Sequence, residues 1–516
     1  MQSLKKFFRR QPLCITVSIG KPISREDVFQ YTNGRFLLDE ETQLSKRYVR
    51  FDIDRLCDVI SSIGGAEKSP VSKINKLEGG FSKALLMATE NGSEYVVKIP
   101  CPNAGRPKYC TASEVAVLNF VRSRTSIPAP RAISWSSDVT NPVGAEYIVM
   151  EKVPGVQMFK KWDEMGESNR IPLIKRLTQW ECELSAIKLP AYGSLYYGSS
   201  LPGSEAISLD PSMDPEGEFC IGPACDSSWL RKTLSDMGKS LIERSIFRAR
   251  GPSNTHLPAY LRDSPDNHLV LLDMAKRIMP IIGRNSKLLE KSQPTLWHTD
   301  LRMGNIFVSE KKPDEVTGFI DWQNTSVYPR FLQARFPVFL APPKGYQEGL
   351  VMSKLPPDFE QMDSQHKELA MYNKTKATWT KAYEKATKAP MEIKELFRRC
   401  GETWEEGLIP LREVMIEIFL GQEDLEFPTK ASPVSFTDEE ITQHKEALSI
   451  YTEWHEMRSF AKEVLDTDDE GWVAPERDFD EIRSRNEMLP DYYISTQVST
   501  RAPNEVKRTW PFPTHV

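Results

Sequence analysis

Long apolar runs are missing from this chain. The longest, such as VFLA and MIEIFL, fall well short of the ~18 residues a membrane-crossing helix needs, so no transmembrane segment is expected and the sequence reads as soluble. Paired cysteines are missing as well. The eight thiols (Cys14, Cys57, Cys101, Cys110, Cys182, Cys220, Cys225 and Cys400) are dispersed, with no Cys-x-x-Cys and no Cys/His cluster. Neither a disulfide framework nor a zinc site is indicated, and a reducing compartment fits. A surplus of positive charge is also lacking: a formal net charge of -5 gives no general attraction to a polyanion, and nucleic acid is not an expected partner.

What is present is the composition of a folded protein, with 27% charged and 40% hydrophobic residues against averages of ~25% and ~45–50%. The 516 residues exceed what one core fills, since single cores stop growing near ~250–300 residues, so two lobes with appendages are expected. Residues 1 to 25 hold Lys5, Lys6, Arg9, Arg10, Lys21 and Arg25, with no acid before Glu26. On a helix, Leu4, Phe7 and Phe8 fall on one arc and the first four cations on the other, the pattern of a mitochondrial transit peptide. A basic, frayed terminus is the other reading. Residues 1–29 are therefore assigned to a transit segment and 30–69 to a leader packed on the following domain.

From residue 71 the hydrophobic period becomes that of strands. KINKLEGGFSKALLMATENGSEYVVKIP reads as three strands with turns at Gly79-Gly80 and Asn91-Gly92, the latter a strong hairpin signal. TASEVAVLNFVRSR gives a helix of about three turns. IPAPRAISWSSD and GAEYIVMEKVPG add two strands, and together they make a small α+β lobe over 70–155. The remainder, 156–475, is mainly helical, with a loop-rich insertion around GSSLPGSEAISLDPSMDPEGEF and a hairpin of NIFVSE and VTGFIDW turned by KKPD. Thr437 and Glu440 match a capping box before a long helix. A tail, 476–516, follows.

The stretch LWHTDLRMGNIFV, residues 296 to 308, carries the chemistry. Phosphoryl transfer needs a carboxylate to orient and deprotonate the acceptor hydroxyl, oxygen ligands for Mg²⁺, and a cation for the donor phosphates. Asp300 offers the carboxylate. The hairpin brings Asn305, before its first strand, and Asp321, at the end of its second, to one edge, where two hard oxygen ligands can share Mg²⁺. Upstream, Lys98 in YVVKIP can reach phosphates, Glu114 on the next helix can hold Lys98 extended, and the amides of Gly79 and Gly80 can cover phosphates. The backbone near Met150 and Glu151, where the lobes join, would meet an adenine edge.

These motifs resemble the aminoglycoside phosphotransferase and choline kinase-like family, within the two-lobed protein kinase-like fold, over about residues 70 to 345. The family motif His-x-Asp-x-x-x-x-Asn with a later Asp-Trp falls on His298, Asp300, Asn305 and Asp321. The resemblance implies that Asp300 is the base and that Asn305 and Asp321 are the metal ligands, with Trp322 in place of the phenylalanine of protein kinases. YTNGRFLLDEE, PVGAEYIVMEKVPG, YGSLYY and DWQNTSVYPRFLQARFP are similar to the fungal altered inheritance of mitochondria protein 9 group, which extends the likeness to most of the chain and implies mitochondrial rather than cytoplasmic residence. Two features depart from the pattern. The glycine turn is a short Gly-Gly, and Arg302-Met303 stands where many relatives carry His-Pro; Arg302 resembles the basic residue that protein kinases place near the transferred phosphate.

Plainer readings compete. Thr111 and Glu114 match a helix capping box, which would leave Glu114 to its own helix. Lys98 alone would be an edge-strand lysine. His298 is read as support for the catalytic turn. GKS at Gly238–Ser240 lacks a P-loop's first glycine, DTDDEG from Asp466 has Arg477 at its twelfth position where a calcium loop needs glutamate, and Cys220 and Cys225 lack metal-site partners. The expectation is an α+β, ATP- and Mg²⁺-dependent kinase of a small-molecule hydroxyl, the rival being an inactive kinase-like nucleotide-binding protein with a regulatory or scaffold role in mitochondria.

Overall fold

The computed structural model describes residues 13–513 apart from 18–19, 64, 66–67, 202–205, 226–228, 251–256, 259–260, 263, 344–345, 348, 350, 352–353, 388–395, 402–406, 422–433 and 497–501. The helical pattern read in residues 4–10 lies outside this set. The chain divides into two compact units, one of Met1–Val115, Pro130–Lys152 and Glu453–Val516 and one of Ala116–Ala129 and Val153–Thr452.

Strands in the first unit are β1 (Cys14–Val17), β2 (Arg35–Phe36), β3 (Val71–Glu78), β4 (Ser82–Thr89), β5 (Glu94–Pro100), β6 (Ala132–Ser136) and β7 (Tyr147–Glu151). Six form one sheet of order β1-β3-β4-β5-β7-β6. Five of these are the strands expected from the apolar alternation, which is unbroken in β4, where every second residue is buried. The β4–β5 hairpin turns at Asn91-Gly92, with Gly92 at φ 85°, a conformation that glycine adopts without strain. The sixth strand, β1, comes from the leader and pairs in parallel with β3, Cys14 opposite Lys73.

Leader residues Val28, Phe29, Phe51, Leu56 and Ile60 pack on Ile74, Leu85, Met87 and Val97 of the sheet. Two fully buried lysines tie the leader down further. Lys76 donates to the carbonyls of Asp27 at 2.8 Å and Gln30 at 2.6 Å, Lys83 donates to Gln30 at 2.6 Å, and both pair with Glu78. Burial pushes the Lys76 ammonium down to about 8. A strand from the far end of the chain, β16 (Trp472–Val473), pairs antiparallel with β2, and Glu470 meets the buried Arg47.

The second unit holds β8 (Val156–Gln157), β9 (Gly193–Tyr197), β10 (Ile207–Ser208), β11 (Phe219–Gly222), β12 (Pro294–Leu296), β13 (Ile306–Val308), β14 (Val316–Phe319) and β15 (Ser326–Pro329). They form a five-stranded sheet, β10-β11-β9-β15-β12, and a three-stranded one, β14-β13-β8. The stretch read as a loop-rich insertion thus contributes two strands. Helices Glu167–Ala186, Leu234–Ala249, Pro265–Ile282, Ser364–Thr387 and Ile409–Leu420 supply the rest, with a core of residues such as Met237, Leu272, Met279, Phe397 and Met415. The helix Asp438–Leu465 starts as expected, with Thr437 and Glu440 exchanging amide bonds of 2.8 and 3.2 Å. Among the described residues no helix is long and apolar enough to cross a membrane.

Candidate active site

In the first unit, Lys98 lies in β5, which is paired with β4 on one side and β7 on the other. It is therefore not an edge-strand lysine. Its ammonium donates to both Glu114 oxygens, at 2.7 and 2.9 Å, with the two side chains 10% and 4% exposed. The helix carrying Glu114 spans Tyr109–Arg124, so Thr111 sits inside its first turn instead of capping it, and the glutamate faces the sheet. A buried ammonium without a carboxylate would face the full desolvation penalty, which explains why the two are found together.

The Gly79-Gly80 turn is closed by the Gly79 amide, which donates to the Ser82 carbonyl at 3.2 Å, and by Asn103, whose side-chain amide donates to the Gly80 carbonyl at 3.0 Å. A Cβ at Gly80 would meet nothing within 4 Å, and one at Gly79 only the Ser82 carbonyl at 3.6 Å. The chain's own packing does not call for either glycine. Met150 is buried in β7. The Glu151 amide donates to the Arg131 carbonyl at 3.0 Å and its carboxylate holds Arg131 at 2.9 Å, so that N–H is already committed inside the sheet.

In the second unit the motif residues converge. Asp300 Oδ2 accepts from Asn305 Nδ2 at 2.9 Å and forms an ion pair with Arg302 Nε at 3.1 Å, while Oδ1 has no partner among the described residues and the side chain is half exposed. Asn305 Nδ2 donates also to the Asp300 carbonyl, which leaves the amide's oxygen as its other polar atom. The hairpin is antiparallel, Ile306 opposite Phe319, and the Ile320 amide donates to the Asn305 carbonyl at 3.0 Å. Asp321 therefore follows directly on the bond that fixes Asn305. It occupies the left-handed region at φ 65°, which a short polar side chain tolerates better than most.

His298 is buried; its Nε2 donates to the Ile320 carbonyl at 3.0 Å and its ring stands edge-on to Trp322 at 4.6 Å. Burial pushes the imidazole below its usual range, against the Ile320 carbonyl and the charges of Asp321 and Asp300. The neutral ring thus braces the turn.

Two supports were not visible in the sequence. Gln157 in β8 donates to the Gly304 carbonyl at 2.9 Å, and β8 itself pairs with β13. Gly155, at φ 91°, permits that approach, because a Cβ there would lie 2.2 Å from the Val308 carbonyl oxygen. The Pro154-Gly155 pair was the only signal, and it reads as a lobe boundary. Of the decoys, Gly238 lies inside the helix Leu234–Ala249, Arg477 bonds Asp466, Cys220 and Cys225 are buried and unpaired with each other, and among the described residues no three His, Cys, Asp or Glu group as a metal site.

The model of the phosphotransferase enzyme family matches residues 73–332 of this chain, which belongs to that family. Its fold is the kinase-like α+β fold expected from the motifs. A subtelomeric hrmA-associated cluster protein of Aspergillus fumigatus is 27% identical over 84% of this chain and 95% of its own length. The mitochondrial altered inheritance of mitochondria protein 9 of Candida tropicalis is 24% identical over 93% of this chain and 90% of its own. Among solved structures, the streptomycin–ATP–APH(2″)-IIa ternary complex is 13% identical, with a TM-score of 0.35 over 78% of this chain and 97% of its own.

Proposed function

We propose that this protein transfers the γ-phosphoryl group of ATP to a hydroxyl of a small molecule, with Asp300 as base and Mg²⁺ required. The observation that carries the reading is the state of Asp300: one carboxylate oxygen is anchored by Asn305 and Arg302, and the other has no partner among the described residues. That is the arrangement a base needs, an oriented group with a free lone pair. The acceptor oxygen bonds to the γ-phosphorus as its proton passes to Asp300, the bond from that phosphorus to the β-phosphate oxygen breaks, and ADP leaves with the electron pair.

The remaining residues have roles that fit. Lys98, held by Glu114, would neutralise donor phosphates, and Gly79 and Gly80, which the chain's packing does not require, leave room for a phosphate to approach. The amide oxygen of Asn305 and the carboxylate of Asp321 are hard donors of the type Mg²⁺ takes. Two are enough, because this ion usually draws its other ligands from water and substrate phosphates. When bound, it supplies charge neutralisation on the phosphate oxygens. Met150 and Glu151 stand for the adenine contact, and Arg302 for a cation near the transferred group. The segmentation into a transit segment, leader, nucleotide-binding lobe, helical lobe and tail belongs to the same reading, as does mitochondrial residence. The latter draws on the basic residues before Glu26 and on relatives named as mitochondrial.

A thermal-shift titration with ATP and Mg²⁺, on the native protein and on Asp321→Asn, tests the nucleotide and metal roles. Magnesium-dependent stabilisation that disappears in the variant is expected; no response to any nucleotide refutes both this reading and the inactive alternative. Labelled ATP with a metabolite extract then tests turnover. Label on a small molecule, lost in Asp300→Ala, is expected, whereas binding without transfer favours the inactive protein, for which the short glycine turn already speaks.

A further inference from the structure

A cavity of about 870 Å³ opens inside the second unit beside the catalytic turn, with Met303, between Asp300 and Asn305, in its wall. Its volume suits a drug-sized molecule, within the ~300–1,000 Å³ of typical ligand sites. The rear is an aromatic box. Trp162 stands edge-on to Trp379 at 5.4 Å and to Phe339 at 5.3 Å, and both tryptophans are buried. Three segments far apart in sequence thus meet in one aromatic cluster in its lining.

The charges are sorted. Three cations line the cavity, Arg170, Lys367 and Lys376, and all are half-buried; the two acids in the lining, Asp163 and Glu368, are exposed. None of the three cations has a carboxylate partner among the described residues. Arg170 lies over the Trp162 and Trp379 rings at 4.9 and 4.7 Å and donates to the Trp162 carbonyl through Nε at 3.1 Å. Its charge is held in place by rings and a carbonyl, with no carboxylate among the described residues to neutralise it. A half-buried cation attracts an anionic ligand more strongly than an exposed one, because water screens it less.

We infer that this cavity receives the phosphate acceptor, and that the acceptor is an anionic alcohol with a flat apolar or aromatic body. The assignment rests on the phosphotransferase reading, since it is Met303 that ties the cavity to Asp300. The body lies along Met303, Met371 and Tyr372, the anion meets Arg170, Lys367 and Lys376, and the hydroxyl faces the catalytic turn. A polycationic acceptor is disfavoured by the same three charges.

Two naphthalene probes test the chemistry on the full chain. The anionic one is 8-anilinonaphthalene-1-sulfonate and the neutral one, of nearly the same body, is N-phenyl-1-naphthylamine. Saturable binding of the sulfonate at one site, at least tenfold tighter than the neutral probe, is expected. Lys367→Glu with Lys376→Glu should weaken the sulfonate about tenfold or more without moving the neutral probe or the melting temperature, and Asp300→Ala should leave both probes unchanged. Equal affinity for the two probes, or a sulfonate affinity indifferent to the charge reversals, overturns the proposal. Transfer of label from ATP is then compared between aromatic hydroxy acids and aromatic amino alcohols. Label on the acids supports the assigned class; label on the amino alcohols alone overturns it. No label on either while a metabolite extract is still labelled overturns the acceptor class alone, and no label on the extract as well refutes the phosphotransferase reading.

Discussion

Glutamine at position 114 would remove the carboxylate that holds the Lys98 ammonium in a doubly paired strand. At 2.7 Å and an effective dielectric of ~20, the attraction lost is roughly 6 kcal/mol before desolvation is counted. Breaking one side of a buried pair typically costs ~3–5 kcal/mol, because the surviving charge stays buried. Lys98→Met should cost a similar amount by removing the cation from Glu114, which is only 4% exposed. The double variant, Lys98→Met with Glu114→Leu, carries neither charge of the pair and should recover most of the loss. Hydrogen exchange at the Val97 and Val149 amides, in β5 and β7, reads the opening free energy of the surrounding sheet. The double variant should be more stable than the sum of the singles by at least ~2 kcal/mol. ATP-dependent stabilisation should be lost in all three. Strict additivity, or a Glu114→Gln effect under ~1 kcal/mol, would refute the claim that the pair is energetically coupled, and nucleotide stabilisation surviving in the double variant would remove Lys98 from the phosphate site.

His298→Ala should destabilise the second unit by roughly 2–4 kcal/mol, since it deletes a buried ring against Trp322 and the bond to the Ile320 carbonyl. His298→Gln, which keeps an N–H at the Nε2 position, should retain Mg·ATP-dependent thermal stabilisation, and its complete loss there would mean that the imidazole does more than brace. Glu181 gives a pH signature. It is buried, Tyr383 is the polar side chain that faces its carboxyl, and burial outweighs that neighbour and pushes the carboxyl up to about 8. The native state therefore keeps a proton that the unfolded chain, with an ordinary value near 4.5, releases. Stability from this group is full below about 4.5 and declines as pH rises through about 8. Denaturant midpoints measured from pH 5 to pH 9 should fall less steeply in Glu181→Gln than in the native protein; parallel profiles would contradict the assigned ionisation.

Local signals read well in this chain because their physics is local. Asn91-Gly92 closes its hairpin, alternation in residues 82–89 gives β4, and Thr437 with Glu440 caps its helix, each within a few residues. The geometry of the turn at Asp300 was legible for the same reason: Asp300, Arg302 and Asn305 lie within six residues, and one hairpin brings Asp321 round. Pairings over long separations were not legible. Strand β1 meets β3 across more than fifty residues, and β9 joins β15 across more than a hundred, so no window of periodicity contains both partners. The helix-capping alternative for Glu114 failed on a boundary, because the helix begins at Tyr109, two residues before Thr111. The aromatic box escaped entirely, since Trp162, Phe339 and Trp379 each read as an ordinary core residue in its own segment.

The pairing of β2 with β16 has a consequence for how the chain comes off the ribosome. The unit that holds Lys98 includes Glu453–Val516, and its leader is clasped by Trp472 and Glu470. Emerging from the N-terminus, the sheet must wait through more than three hundred residues of the other unit before its last pieces arrive. The sheet that comes first in sequence is thus completed last in time, and a truncated product of stalled synthesis would carry an assembled Asp300 turn with an unfinished first unit.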